Sequence, residues 1–245
     1  RGPAELAGVP GLVFSKLGGT GRGLGFTLAP DLARYVLFGT WNSEEAWRDF
    51  LASSAFMRRV REKAREHWWA LLAPVAARGF WDRESLFDCG PAGCAGPASP
   101  GGHPPGQPPG TGSLSGQPPL DQPAPLGRAG PGRYDGTRIA VLTRATIRMR
   151  SLGRFWSEVP HVTASLARAE GLLCSIGFGE WPWIRQATFS VWKSPDRFEA
   201  FAYGDANHRR VIERTRQEGW YREELFARFG LLGSGGSWNG RDPLS

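Results

Sequence analysis

Lysine, cysteine and long apolar segments are scarce in this chain of 245 residues. Only three lysines stand among 30 basic residues, and although the net charge is +7, no run of five like charges occurs. A nucleic-acid interface is therefore not indicated. The most apolar stretch, residues 68–77, is interrupted by Pro74 and is far shorter than the roughly 18 to 20 residues of a membrane span.

The three cysteines, Cys89, Cys94 and Cys174, make neither a disulfide framework nor a zinc-ligand pattern. We therefore expect a cytoplasmic protein. Cys174 stands between apolar residues of a predicted strand, which favours a buried, unreactive thiol over a metal ligand.

Glycine and proline are concentrated in one segment of the chain. Of 34 glycines and 20 prolines, 24 residues fall within the 43 positions from Gly90 to Gly132. That segment has only three large apolar residues, all leucine, too few to offset the entropy lost on ordering it. We expect a flexible insert over residues 89–136, separating one module at 1–88 from a second at 137–245.

The two modules are related by an internal repeat. Residues 36–69 align without a gap on residues 187–220, and 11 of the 34 pairs are identical. The identical pairs include Trp41 with Trp192, Phe50 with Phe201, and Trp69 with Trp220. A duplication of one folding unit is the simplest explanation.

The second module reads as a complete unit. Alternating apolar residues predict strands at 139–148, 172–178, 187–192 and 225–231, and helical spacing predicts helices from 152 with an interruption at Pro160, at 195–202 and at 205–217. The order β-α-β-β-α-β is that of a ferredoxin-like α+β unit. We expect two such units to close face to face as a fused dimeric α/β-barrel. The first unit begins near its second strand, at residues 11–17, and we read it as truncated at its N-terminus.

His208 is the histidine with the most apolar surroundings in the sequence. Val211, Ile212 and Thr215 follow it at i+3, i+4 and i+7, so a helix would turn the imidazole toward the sheet with them. Met57 is its counterpart in the first module. The pattern fits both a structural histidine and a metal ligand. Zinc wants three or four protein ligands, whereas haem iron can be held by a single axial imidazole, so haem fits best among metals.

The other three histidines are weaker candidates. His103 lies in the insert, His161 follows Pro160, and His67 stands among charged residues near the end of a predicted helix. The glycine-rich segment 18–26 lacks the lysine and hydroxyl residue of a phosphate loop. We interpret it as a connection. Eleven tryptophans suit either an apolar pocket or a core.

Several segments, in order, resemble spheroidene monooxygenase, the acyclic carotenoid 2-ketolase family. In the first module the resemblance rests on Gly19 to Phe26 and on Trp81-Asp82. In the second module and the tail it rests on residues 142–147, Phe155-Trp156, 175–180, 186–192, 218–229 and 236–244. It covers nearly the whole chain apart from the insert.

This resemblance implies a haem-dependent monooxygenase that introduces a keto group, by way of a hydroxyl, into an acyclic carotenoid, using dioxygen and electrons from a reduced ferredoxin-type donor. It also implies His208 as the axial haem ligand. In the matching segments we take Arg144 and Gln186 as candidate cofactor-binding residues. Trp156, Trp183 and Trp192 are the candidate substrate-pocket residues.

Three alternatives stay open at this point. One is a related enzyme with another long apolar substrate. The second is a non-catalytic barrel that carries haem or a lipid. The third is a haem enzyme of related fold with a different reaction, such as a dehydratase. We also expect peripheral association of the protein with a membrane.

Overall fold

The structure is a computed structural model that describes residues 12–16, 34–41, 43–83, 87, 137–181, 183–204 and 206–245. The Pro/Gly-rich insert and the glycine-rich segment 18–26 lie outside these residues, as does the start of the chain, on which the predicted truncation falls. Within the described ranges, no helix has the length and apolar character needed to cross a bilayer.

The second module has the predicted order of elements. Its strands and helices are β4 (Ile139–Ile147), α3 (Leu152–Ala167), β5 (Leu172–Trp181), β6 (Arg185–Trp192), α4 (Pro195–Gly204), α5 (Ala206–Glu218) and β7 (Tyr221–Gly236). The strands pair antiparallel in the order β7-β4-β6-β5. The predicted α+β class is confirmed, and the helices predicted at 195–202 and 205–217 correspond to α4 and α5.

The first module supplies a hairpin, two helices and a long strand. These are β1 (Leu12–Lys16), β2 (Tyr35–Gly39), α1 (Glu44–Ser53), α2 (Ala55–Lys63) and β3 (Trp68–Gly79). Ser43 and Ser54 cap α1 and α2 by accepting the amide hydrogens of Ala46 and Met57. β1 and β2 pair with each other, whereas β3 extends the main sheet by pairing antiparallel with β7. Strands of both modules therefore share one five-stranded sheet.

This sheet separates two apolar cores. The helix-side core, under α3 and α4, consists of Ile139, Val141, Leu166, Trp192, Phe198 and Ala202. The hairpin-side core, on the opposite face, includes Leu142, Phe189, Ala227 and Phe229, and Val36 and Phe38 of β2 pack against it. Because side chains alternate along a strand, neighbours such as Val141 and Leu142 lie in different cores.

The structure corrects two details of the sequence reading. The predicted interruption at Pro160 is wrong, because α3 continues through it to Ala167. Pro160 is exposed, while Val159 and Leu166 are buried, so packing on the sheet compensates for the missing backbone donor. His67 lies beyond α2, which ends at Lys63, and its carbonyl accepts the Ser237 amide instead of a helical bond.

Gly79 ends β3 in a backbone conformation that only glycine adopts easily. Its φ is 86°, and an added Cβ would lie 2.0 Å from the carbonyl oxygen of Glu224. We expect Gly79→Ala to lower the free energy of unfolding by at least about 2 kcal/mol, from backbone strain and steric clash. Urea unfolding of the purified protein measures this.

The matched control is Gly153→Ala in α3, where an added methyl meets nothing within 4 Å. There we expect up to about 1 kcal/mol of stabilisation, because alanine favours a helix over glycine. Equal unfolding midpoints for the two variants would contradict this account of the β3 end.

Candidate functional site

His208 lies in the first turn of α5, half-buried against α4. Its ring is 4.9 Å from the Phe201 ring, centroid to centroid, at an interplanar angle of 31°. Its Nδ1 lies 3.3 Å from the carbonyl oxygen of Ala202. Since a carbonyl oxygen can only accept, Nδ1 carries the hydrogen, and in the neutral imidazole the lone pair is left on Nε2.

The repeat is visible at this position in three dimensions. In the second module the ring of Trp192 lies 5.3 Å from Phe201, which in turn contacts His208. In the first module the ring of Trp41 lies 5.5 Å from Phe50, which packs with the buried Met57. The two modules therefore build the same aromatic stack and differ in its last member, a methionine in one and a histidine in the other.

The donor atoms at His208 fit an axial haem ligand. No group of three or more histidine, cysteine, aspartate or glutamate side chains capable of holding a metal ion occurs among the described residues, so this part of the chain offers no protein-only metal cage. A haem iron needs one axial imidazole from the protein. His208 offers one whose ring orientation is fixed by a carbonyl on the other nitrogen, as is usual for ligating histidines.

Arg144 is buried in a charged cluster on the hairpin side of the sheet. Its side chain is 1% exposed, and it donates to Glu223 Oε1 at 2.6 Å and to Asp82 Oδ1 at 3.2 Å. Its guanidinium carbon lies 4.8 Å from the centre of the Trp81 ring. Arg185 also pairs with Asp82. We call Arg144, Glu223, Asp82, Arg185 and Trp81 the Arg144 cluster.

Backbone groups complete this cluster. The amides of Asp82 and Arg83 donate to the two carboxylate oxygens of Glu223, at 3.0 and 2.9 Å. Both residues have positive φ, 51° and 70°. Glu223 therefore ties the turn after β3 to β7 through two amides and one guanidinium. The sequence alone did not identify Asp82 or Glu223 as partners of Arg144.

Arg144 and Gln186 do not converge on one ligand. Arg144 pairs with Ala187, and Gln186 pairs with Ala145, so the two side chains leave opposite faces of the sheet. Gln186 lies over Gly179, where an added Cβ would be 3.0 Å from its amide nitrogen. It is also six positions from Trp192 along β6, about 20 Å at the usual strand rise, and His208 lies at the Trp192 end. The structure therefore groups neither residue with His208.

The three candidate pocket tryptophans do not lie together in the structure. Trp156 Nε1 donates to the Trp183 carbonyl at 3.1 Å, so these two lie together at the β5–β6 turn. Trp192 is 1% exposed in the helix-side core, and its Nε1 donates to Ser190 Oγ at 2.9 Å. Trp192 thus supports the aromatic stack under His208 and lies apart from the other two.

Two cavities open elsewhere on the molecule. One, of about 530 Å³, lies between α1 and the strands β3 and β7, and Trp47, Leu51 and Trp69 line it. The other, of about 580 Å³, lies between β5 and the C-terminal residues. Neither cavity is lined by His208 or Arg144.

Comparison with known proteins reveals close relatives over nearly the whole chain. This chain is 34% identical over 236 residues to spheroidene monooxygenase of Rhodobacter capsulatus, and the alignment covers 96% of this chain and 82% of that protein. The chain belongs to the spheroidene monooxygenase family. Members from Rubrivivax gelatinosus and Cereibacter sphaeroides are 33% and 31% identical, and the chain spans 77% and 61% of their lengths. No family model matches the chain.

Solved structures resemble this spheroidene monooxygenase relative only distantly. SnoaB, a cofactor-independent oxygenase from Streptomyces nogalater, is 14% identical over 43% of this chain and 96% of its own, with a TM-score of 0.29. The structure of a monooxygenase-like protein from Fusobacterium nucleatum has a TM-score of 0.38 at 14% identity, covering 45% of this chain and 49% of its own. At such scores the likeness carries no argument about function.

The C-terminal segment that resembles the spheroidene monooxygenase family forms a clamped turn. Trp238 bridges Arg241 across Asn239 and Gly240, both with positive φ. The Glu66 carboxylate accepts the amides of Asn239 and Gly240 at 2.8 and 2.9 Å. These amide hydrogen bonds hold the pKa of Glu66 below its ordinary value. The turn directs Leu244 into the hairpin-side core.

Cys174 lies in the same core on β5. Burial raises the pKa of its thiol to about 12 from an ordinary value of 9.0. The thiol is therefore neutral throughout the physiological pH range, as expected of an unreactive cysteine. The other two cysteines, Cys89 and Cys94, lie outside the described residues.

Proposed function

We propose that this protein is a haem-dependent monooxygenase that introduces a keto group, by way of a hydroxyl, into an acyclic carotenoid such as spheroidene. The observation that carries the proposal is the 34% identity that extends over 82% of the Rhodobacter capsulatus relative, whose name is spheroidene monooxygenase. Dioxygen and electrons from a reduced ferredoxin-type donor are the proposed co-reactants.

His208 is the proposed axial ligand. Bound haem would supply an iron at which dioxygen is reduced and activated. The Ala202 carbonyl accepts the Nδ1 hydrogen of His208 and so presents Nε2 as the donor atom. The Phe201 ring lies against the imidazole and restricts its rotation. The Trp192 ring packs in turn against Phe201. The stacked rings of Trp192, Phe201 and His208 therefore fix the direction of the Nε2 lone pair.

The proposed substrate contacts are Trp156 and Trp183. They lie at the β5–β6 end of the sheet, opposite the end that carries His208, and would hold a part of the long chain remote from the iron. A long polyene offers little but apolar surface, and aromatic side chains provide large contact area at low conformational cost. Trp192 is a support of the ligand histidine in this proposal. Arg144 and Gln186 take no part in it. Arg144 is committed to Glu223 and Asp82, and Gln186, although on the helix side of the sheet, lies six positions along β6 from Trp192, about 20 Å away.

We further propose that the two modules close as one barrel. The equivalent aromatic stacks of the two modules support this, as does the packing of β2 against the hairpin-side core, where the ring of Phe38 lies 6.0 Å from those of Trp81 and Phe229. Such closure buries the sheet face that a single ferredoxin-like unit leaves uncovered.

Turnover with labelled dioxygen tests the proposed reaction. The full chain is reconstituted with haem and supplied with spheroidene, ¹⁸O₂ and a reduced ferredoxin. We expect a hydroxylated intermediate and then a ketone, with the label found by mass spectrometry in the intermediate. Omission of ferredoxin should stop both products. Haem uptake without any oxygenated product would favour the non-catalytic carrier instead.

A further inference from the structure

Two of the most exposed large apolar side chains lie at the same end of the sheet. Met149 is 70% exposed and Trp183 is 50% exposed. The amide of Ile147 donates to the carbonyl of Ile184 at 2.8 Å, which places the chain just after β4 beside the β5–β6 turn. Met149 and Trp183 therefore flank one backbone contact. Large apolar groups gathered in one exposed region are characteristic of interaction surfaces.

Trp183 also holds a backbone conformation that disfavours its side chain. Its φ is 68°, a region in which a residue with a Cβ is strained by roughly 1 to 2 kcal/mol. The Trp156 indole donates to its carbonyl and stabilises this conformation. Half of the Trp183 side chain remains in solvent, so the apolar surface that it buries offsets little of this strain. Strain of this kind concentrates at functional positions.

The same end of the sheet carries excess positive charge. Arg148, Arg150 and Arg222 are exposed, and Arg148 Nε donates to the Tyr221 carbonyl, which ties it to the start of β7. Of the carboxylates nearby, three are engaged by other arginines, in the pairs Glu218 with Arg154, Glu223 with Arg144, and Asp82 with Arg185. Glu224, exposed on β7 two positions from Arg222, offsets one of the three positive charges. A net positive charge thus remains at this end of the sheet to attract an external anion.

We propose that these residues form a membrane-binding end, comprising Met149, Trp156, Trp183, Arg148, Arg150 and Arg222, for a bilayer surface that contains anionic phospholipid. Tryptophan favours the interfacial zone of a bilayer, where its ring is apolar and its N–H can meet a polar partner. Arginines near an anionic surface each contribute attraction. An acidic protein partner would need only the arginines for binding, whereas the exposed methionine and tryptophan favour contact with lipid.

Exposure, charge and backbone geometry favour membrane binding at this end whatever reaction the protein catalyses. Co-flotation of the full chain with vesicles tests it. We compare vesicles of phosphatidylcholine alone with vesicles containing one quarter phosphatidylglycerol, at low and high salt. Binding should require the anionic lipid and weaken as salt screens the arginines.

Trp183→Gly is the decisive variant, because glycine accepts the positive φ without strain and keeps the carbonyl that accepts from Trp156. We expect its stability in urea to equal or exceed that of the wild type, while binding to anionic vesicles weakens at least tenfold. Arg150→Ser should weaken binding about fivefold. Tyr35→Ser removes another exposed ring, 59% exposed and on β2, and should leave binding unchanged.

Several results would overturn the proposal. These are absence of vesicle binding by the wild type, equal binding to neutral and anionic vesicles, or wild-type affinity in Trp183→Gly. Self-association that Trp183→Gly abolishes, without vesicle binding, would assign this end to a second copy of the chain. Binding of an acidic ferredoxin to this end, without binding of vesicles, would assign the end to the electron donor.

Discussion

Replacing His208 with alanine will remove the native Soret band of the haem-reconstituted protein and abolish turnover, and added imidazole will restore the spectrum in part. The expected loss follows from the single-ligand arrangement. His208 is the one proposed protein donor to the iron, and its Nδ1 is already committed to the Ala202 carbonyl. Alanine leaves a space beside Phe201 that free imidazole can enter. Optical titration of the variant with haem, with and without imidazole, measures both effects.

Matched variants separate ligation from packing. His161 and His67 are both exposed, so His161→Ala and His67→Ala should keep the native spectrum, and His103→Ala in the insert should do so as well. Met57 occupies the equivalent stack in the first module and is buried. Met57→Ala should lower stability by about 2 to 3 kcal/mol without altering the spectrum. An unchanged spectrum in His208→Ala would refute the assignment, and a lost band in His161→Ala would move the ligand to α3.

The repeat was the most informative feature of the sequence, because it involves residues that pack together within each module. Trp41 and Phe50, or Trp192 and Phe201, are nine positions apart in sequence, and a strand followed by a helix brings each pair into contact. The alignment therefore contained the signal for the shared stack, although only the duplication was inferred from the sequence. Alternation along β6 also contained the signal that Trp192 lies on the face opposite Phe189 and Val191, and its position at the end of β6 places it away from the β5–β6 turn.

Other features depend on contacts that one segment of sequence does not encode. The sequence pattern predicts β7 only from Leu225 to Leu231, whereas the strand extends from Tyr221 to Gly236. The extension forms because β3 and β4 pair with β7 on its two sides. Asn239-Gly240 is a recognisable tight-turn signal. Nothing local, however, indicates that Glu66 would accept the amides of that turn.

The Arg144 cluster illustrates the same limit and gives the second large expected effect. Asp82, Arg144 and Glu223 come from three distant parts of the chain, and only the sheet brings them together. Arg144→Met should lower the free energy of unfolding by about 3 to 5 kcal/mol. Removal of the guanidinium leaves the Glu223 carboxylate, whose side chain is only 17% exposed, without its cation. Methionine keeps much of the side-chain volume, so the measured loss reports mainly on charge. Urea unfolding at neutral pH measures it.

Arg154→Met is the control, because Arg154 also pairs with a glutamate, Glu218, but its side chain is 62% exposed. An ion pair of that kind contributes less than about 1 kcal/mol, so the two substitutions should differ several-fold. A further change, Glu223→Gln in the Arg144→Met background, should recover part of the loss, because a neutral amide needs no cation while its oxygen can still accept an amide hydrogen of the Asp82–Arg83 turn. If Arg144→Met and Arg154→Met destabilise equally, solvent must reach Glu223, and the cluster then positions the turn after β3 without stabilising the fold.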